Sequence, residues 1–445
     1  MTGRRFGHLT DPPASFVIVG ARIVEPGTDE VRDLAVVDGV IAADATEEVE
    51  RIDGRGLTVA PGLCDLHVHL REPGTEGETV ESGARAAAHG GFTTICAMPN
   101  ADPAPDEPNR VRWLLERGAA AASRVRVVAP ATRGRAGKRA SDLEDLAGAG
   151  AIGFSDDGAG VPTDSLAREI LERLAALDLP LIEHAEDAGL AAGTVMRAGP
   201  TASRLGLAGW PPEAELRIVQ RDLALAEATG ARVHLTHLST AEAVEAVRGA
   251  KARGVRVTCD VTPHHLALTD AWVAGSRDFA WEEPGPGATL DRAYDGATRV
   301  NPPLPARADA LALLAAIEDG TVDAIATDHA PHPANRKTVP FAEAAPGLIG
   351  LETALSLGLA AVDAGRLSLA RLLAALSTGP AAIVGETRGL AVGARADLVV
   401  FDAAARWHVD EGALASASAN TPLLGMALPG VVRMTVAEGR VTYRS

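Results

Sequence analysis

The stretch Asp65-Leu66-His67-Val68-His69-Leu70-Arg71-Glu72-Pro73-Gly74 sets two imidazoles two residues apart among strand-forming apolar spacers. Residues two apart in a strand project from the same face, so His67 and His69 converge on one point, as ligands of a divalent cation must. Asp65 falls on that face as well. Arg71 follows two residues beyond the second imidazole, where a guanidinium can hold an anion beside the ion. Two histidines do not make a metal site; further ligands have to come from distant parts of the chain.

The elements that would bring them are legible. Strand-like runs over 62–69, 91–97, 125–129, 151–154, 179–183, 232–236, 256–260 and 322–327 alternate with Ala/Leu-rich stretches. Apolar spacing predicts helices over 80–89, 107–117, 164–177 and 213–229. Eight such βα units predict a (β/α)8 TIM barrel, an α/β fold whose active site forms at the C-terminal strand ends. Those ends carry Met98-Pro99-Asn100, Ser155-Asp156-Asp157-Gly158, Glu183-His184-Ala185-Glu186, His234-Leu235-Thr236-His237, Thr262-Pro263-His264-His265 and Thr327-Asp328-His329-Ala330-Pro331-His332. Of the 12 histidines only His8, His89 and His408 lie elsewhere. Imidazoles gathered at one end of a barrel, with carboxylates among them, suit a zinc-like ion.

Within that set some positions are better ligands than others. His237, nearer the strand end, is preferred to His234, which is expected in the core. Asp156 and Asp157 point apart, so at most one is a ligand. His264 and His265 are expected as supports or satisfied hydrogen-bonders and His329 as a packed or supporting residue, and Glu183 and Glu186 either orient His184 or face solvent.

The two chain ends differ from the middle. Short strands with glycine turns at 16–24, 34–37 and 57–60 match β-rich runs at 397–401 and 431–443. They predict a small β-sandwich-like domain built from residues 15–60 and 385–445, around a barrel spanning 61–384 and after a disordered start over 1–14. Segments 272–298 and 333–346, rich in Gly, Pro and charge, break the βα rhythm. They are expected above the barrel mouth, the second being the better candidate to close over a substrate.

Composition excludes several classes. A net charge of −17 argues against a nucleic-acid partner. No apolar run is long enough to span a membrane, and no apolar segment follows Arg4 and Arg5 to form a signal peptide, so a cytoplasmic protein is expected. Cys64, Cys96 and Cys259 sit in apolar runs and read as reduced, buried thiols.

Taken together, His67 to Gly74, Ala97 to Asn100, Phe154 to Gly158, His184 to Asp187, Arg299-Val300-Asn301-Pro302-Pro303-Leu304 and Ala326 to His332 resemble the cyclic amidohydrolases of the amidohydrolase superfamily. Within them the class I dihydroorotases are the best match, over nearly the whole chain. The resemblance implies that His67, His69 and Asp328 hold one metal and His184 and His237 a second. Asp157 would stand where many relatives bridge the ions with a carboxylated lysine. Zn2+, as one or two ions, is the implied cofactor, although manganese or cobalt would suit the same donors. Arg71, Asn100 and His332 would surround a substrate carboxylate, with Asn301 near the ring and Asp328 as the catalytic proton carrier.

The implied reaction is the reversible cyclisation of N-carbamoyl-L-aspartate to L-dihydroorotate, the third step of de novo pyrimidine biosynthesis. Arg71 disfavours the alternatives, allantoinase and dihydropyrimidinase or hydantoinase, because a neutral ring would leave a guanidinium unpaired. An inactive scaffolding homologue would be expected to lack the metal histidines. A homodimer and association with aspartate transcarbamoylase are family-level expectations.

Overall fold

The computed structural model describes residues 4–45, 48–283, 285 and 289–445. Eight parallel strands form its central sheet: β1 (Leu63–Val68), β2 (Phe92–Ala97), β3 (Arg124–Pro130), β4 (Ala151–Ser155), β5 (Leu181–His184), β6 (Val233–Thr236), β7 (Val257–Val261) and β8 (Ala324–Ile325). Each pairs with its sequence neighbour. The ring closes between β8 and β1 through a bridge from Val68 to His329, where His69 N donates to His329 O at 2.9 Å. One apolar cluster draws Leu66, Cys96, Val128, Ile182 and Ala324 from five different strands, which is feasible only inside a closed barrel.

Local signals fix the surrounding helices. Val80–His89 starts at Thr79, whose hydroxyl accepts from Ser82 N while Ser82 Oγ accepts from Thr79 N. Asp164–Leu177 starts at Thr163 and stops at Asp178 in the left-handed region. Glu213–Thr229 ends on Gly230 at φ +70°.

Both chain ends meet in one continuous nine-stranded, mostly antiparallel sheet, because Thr58–Pro61 pairs directly with Leu398–His408. Phe16, Ile18, Leu34 and Ile41 from the first end pack with Leu398, Val400 and Met434 from the last. The start of the chain departs from the expected disorder. Arg5–Phe6 pairs with Arg444 and Tyr443, and the Phe6 ring lies 5.4 Å from that of Tyr443. A two-residue strand has no periodicity to reveal it; residues 1–3 of that expectation lie outside the described residues.

Candidate active site

Above the apolar plug, the strand ends bring six donors together. From β1, His67 Nε2 lies 3.3 Å from Asp157 Oδ1 and 3.5 Å from Asp328 Oδ1. His69 Nε2 lies 3.0 Å from Asp328 Oδ1 and 3.7 Å from Asp157 Oδ2. His184 Nδ1 and His237 Nε2, which end β5 and follow β6, each stand 3.6 Å from Asp157 Oδ1 and 2.9 Å from one another. Asp157, following β4, thus touches all four imidazoles. Two groups have ligand atoms within 4.8 Å of one another, His67/His69/Asp328 and His67/Asp157/His237, with His184 adjoining the second.

Four residues around this centre adopt left-handed backbone without being glycine: Arg71 (φ +59°), Arg135 (φ +55°), His237 (φ +43°) and Asp328 (φ +47°). Such conformations cost about 1–3 kcal/mol each and persist only where surrounding contacts impose them. Asp260 is one such contact at His237, accepting its backbone N–H at 2.7 Å.

The electrostatics call for a cation. Burial disfavours a charged Asp157, yet His67, His184 and His237 outweigh it and hold its carboxyl well below the usual range. Burial likewise opposes ionised Asp328, but His67 and His69 hold it low. Conversely, burial would lower His67, but Asp157 and Asp328 lift it to about 9. His184 is lifted to about 10 against burial by Asp157 and Glu186. Two buried carboxylates therefore demand positive charge where the imidazoles converge, and a divalent ion would supply it to neutral rings. His67 Nε2 and His69 Nδ1 are buried with no hydrogen-bond partner. A donor set of four imidazoles and two carboxylates fits a metal.

Supporting residues orient those donors. Asp65, expected on the ligand face, instead accepts from Thr327 N and Oγ1 and from His67 N, tying the ends of β1 and β8 together. His234 is a buried core residue held by Thr258 and Asp260. His265 is held by Thr262 and the Pro302 carbonyl, and His329 by Glu78 and Gly350 N. His264 departs from the expected satisfied state: it is buried and neither ring nitrogen has a partner. Glu183 is fully buried but turns to Val161 N and Arg221 rather than His184. Glu186 does face the ring, 3.9 Å from His184 Nε2, and is itself fixed by Trp210 Nε1 at 2.9 Å.

On the substrate side, Arg71 Nε donates to Pro331 O at 3.1 Å and Nη2 lies 3.3 Å from His332 Nε2. Asn301 Nδ2 stands 3.4 Å from His184 Nε2. Asn100 directs Nδ2 at the Asp157 carbonyl (3.2 Å) and carboxylate (2.9 Å), so here it braces Asp157. Arg135 Nη2 donates to the same Asp157 carbonyl. Sequence reasoning overlooked Arg135 and also Asn420, whose Oδ1 accepts from His332 N at 3.0 Å. No motif or period marks either residue.

A TIM barrel with this donor set at its strand ends has the architecture of a metal-dependent hydrolase. Its overall shape matches the L-hydantoinase (dihydropyrimidinase) from Arthrobacter aurescens, with a TM-score of 0.83 and 26% identity over 96% of both chains. The dihydro-orotase-like family model matches residues 56–243. A dihydroorotase from Anaeromyxobacter dehalogenans (strain 2CP-1) is 46% identical over 96% of this chain and 97% of that one. Another, from Pelobacter propionicus, is 42% identical over 97% of this chain and all of its own length. The chain belongs to the dihydroorotase family.

Proposed function

We propose that this chain interconverts N-carbamoyl-L-aspartate and L-dihydroorotate, with the six donors as metal ligands and Arg71 as the specificity anchor. The observation that carries the reading is Arg71, held beside His332 at the edge of the donor cluster. A guanidinium offers a fork to the ring carboxylate that a neutral hydantoin or dihydropyrimidine lacks. Burial and the Arg71 charge pull His332 down to about 3, so the ring is neutral and the one proton it can share with that carboxylate is the Nε2 proton that Pro346 O accepts at 2.9 Å. Asn301 lies where it would meet the ring, and Asn100 reaches the carboxylate only if its amide leaves Asp157.

The chemistry a bound divalent ion supplies is polarisation of the scissile carbonyl and a water acidified toward neutrality. Zinc is the ion we propose, as one or two per chain, and Asp157, which touches all four imidazoles, would be among the residues that hold it. Asp328, kept as a carboxylate, accepts a proton from the attacking water and delivers it to the departing ring nitrogen. In the other direction it takes a proton from the ureido nitrogen as that atom attacks the side-chain carboxyl, and oxygen leaves as water. Ring closure takes up one proton overall.

The residues group into a barrel over 61–384 and a composite β domain over 15–60 and 385–445. Among the described residues no helix is long and apolar enough to cross a membrane, which is compatible with a cytoplasmic enzyme. A homodimer and contact with aspartate transcarbamoylase rest on family resemblance; size-exclusion chromatography with and without that partner tests both. The function is tested by assaying dihydroorotate, allantoin and dihydrouracil side by side with metal quantitation. Turnover of dihydroorotate alone is expected. Preference for a neutral ring would overturn the assignment.

A further inference from the structure

The two long segments that interrupt the βα rhythm are clasped together at one buried side chain. Lys337, 7% exposed, directs its ammonium at three backbone carbonyls: Ala345 O (2.6 Å), Gly347 O (2.8 Å) and Arg299 O (3.2 Å). Three N–H groups meet three acceptors, and no carboxylate within ion-pair distance is found among the described residues. The approach is close. At Gly296, in the first segment, an added Cβ would lie 2.2 Å from the Lys337 carbonyl, so only glycine lets the backbones touch there. Gly347 N also donates to Arg299 O at 2.9 Å, which joins the same two strands of chain.

What the clasp holds is the wall of the substrate pocket. Ala345 and Gly347 flank Pro346, whose carbonyl lies 2.9 Å from His332 Nε2. Arg299 stands two residues before Asn301. A single ammonium thereby fixes the carbonyl that sets the His332 ring and the segment that carries Asn301. Ordinary loop packing would need neither a buried, carboxylate-free lysine nor an obligatory glycine opposite it, since burying an ammonium is costly unless each proton is used.

We propose that Lys337 is a positioning residue that sets substrate affinity through Pro346 and His332. The inference rests on the reading of His332 as a substrate contact. Removing the ammonium frees three carbonyls and lets Pro346 withdraw, which should weaken binding of the ring carboxylate while leaving the metal ligands in place.

The test compares Lys337→Met, His332→Ala and the double variant with the wild-type holoenzyme. For Lys337→Met we expect KM for dihydroorotate to rise about tenfold, with kcat within about twofold and metal content unchanged. In the His332→Ala background the same change should move KM less than about twofold, because neighbours that act together are not additive. Lys337→Arg, which keeps the cation and several donors, should recover part of the loss. If Lys337→Met does not fold, Gly296→Ala, which pries the same segments apart, must give the same KM rise. An unchanged KM in that decisive variant, or an equal rise with and without His332, overturns the proposal. Failure of the wild type to turn over dihydroorotate would instead strike the functional assignment.

Discussion

Thr236 Oγ1 lies 2.8 Å from His67 Nδ1 and donates its own proton to Asp260 Oδ2 at 3.1 Å. Asp260 stays ionised, because His234 overcomes the effect of burial and holds it low. The hydroxyl can then only accept from the imidazole, so a neutral His67 would carry its proton on Nδ1 and leave the Nε2 lone pair for a cation held between it and the carboxylates. A residue outside the donor cluster would thus select the tautomer a metal needs.

Thr236→Val keeps the shape and removes the relay. Losses at such outer partners typically reach about 10–100-fold in metal affinity. We expect chelator titration to show a loss in that range, beyond the fall in metal-free stability of about 1–3 kcal/mol that comes from leaving the His67 N–H and Asp260 short of a partner. Unaltered affinity would show that His67 finds its tautomer without Thr236.

Arg71→Ala should lower kcat/KM for dihydroorotate by at least about thirtyfold, from roughly 2 kcal/mol or more for losing a charged partner of a carboxylate. Metal content should match wild type, because no metal ligand uses the guanidinium. Full activity in this variant would refute the carboxylate role.

Asp157 is the point where both halves of the centre meet. Asp157→Asn keeps the volume but removes the charge that His67, His184 and His237 share. Metal analysis after dialysis should show occupancy falling, and turnover should fall by about a hundredfold or more. Full occupancy would mean that Asp328 and the imidazoles suffice.

Glu215 gives a pH signature away from the reaction. Buried beneath the turn after His237, it accepts from the N–H and hydroxyl of both Ser239 and Thr240. Burial outweighs those four bonds and raises its carboxyl to about 7. A raised carboxyl means that the folded chain holds more protons than the unfolded chain between the model value of 4.5 and about 7. Its contribution is therefore complete below that window and is lost as pH climbs through it, by about 3 kcal/mol at most. Denaturant titrations from pH 4.5 to 8 should show this decline in wild type and a flatter profile in Glu215→Gln. Parallel profiles would exclude Glu215 as the source.

Much of this was legible in the chain because strong local signals coincided with global topology. Thr79, Thr163 and Gly230 cap helices at the ends that apolar spacing marks, and the eight apolar runs became the eight barrel strands. His67 and His69 converge as a period of two requires. The contacts that escaped are those made across long loops. Asn420 reaches His332 over 88 positions, and Arg135 meets Asp157 over 22. Asn100, tied to a substrate carboxylate only through family resemblance, has its amide on two acceptors of Asp157, a pairing that no motif marks. Hydrogen bonds of this kind leave no periodic trace, since either partner could sit in any loop of the right length.

Asn420 belongs to the C-terminal part of the chain, yet its amide donates to Ala330 O and Gly347 O while its oxygen receives His332 N. The pocket's back wall is thus stitched from stretches far apart in the chain. An engineer grafting a relative's selectivity onto this scaffold would have to transplant the turn around Asn420 together with 330–347, because a swap of either alone would leave mismatched seams.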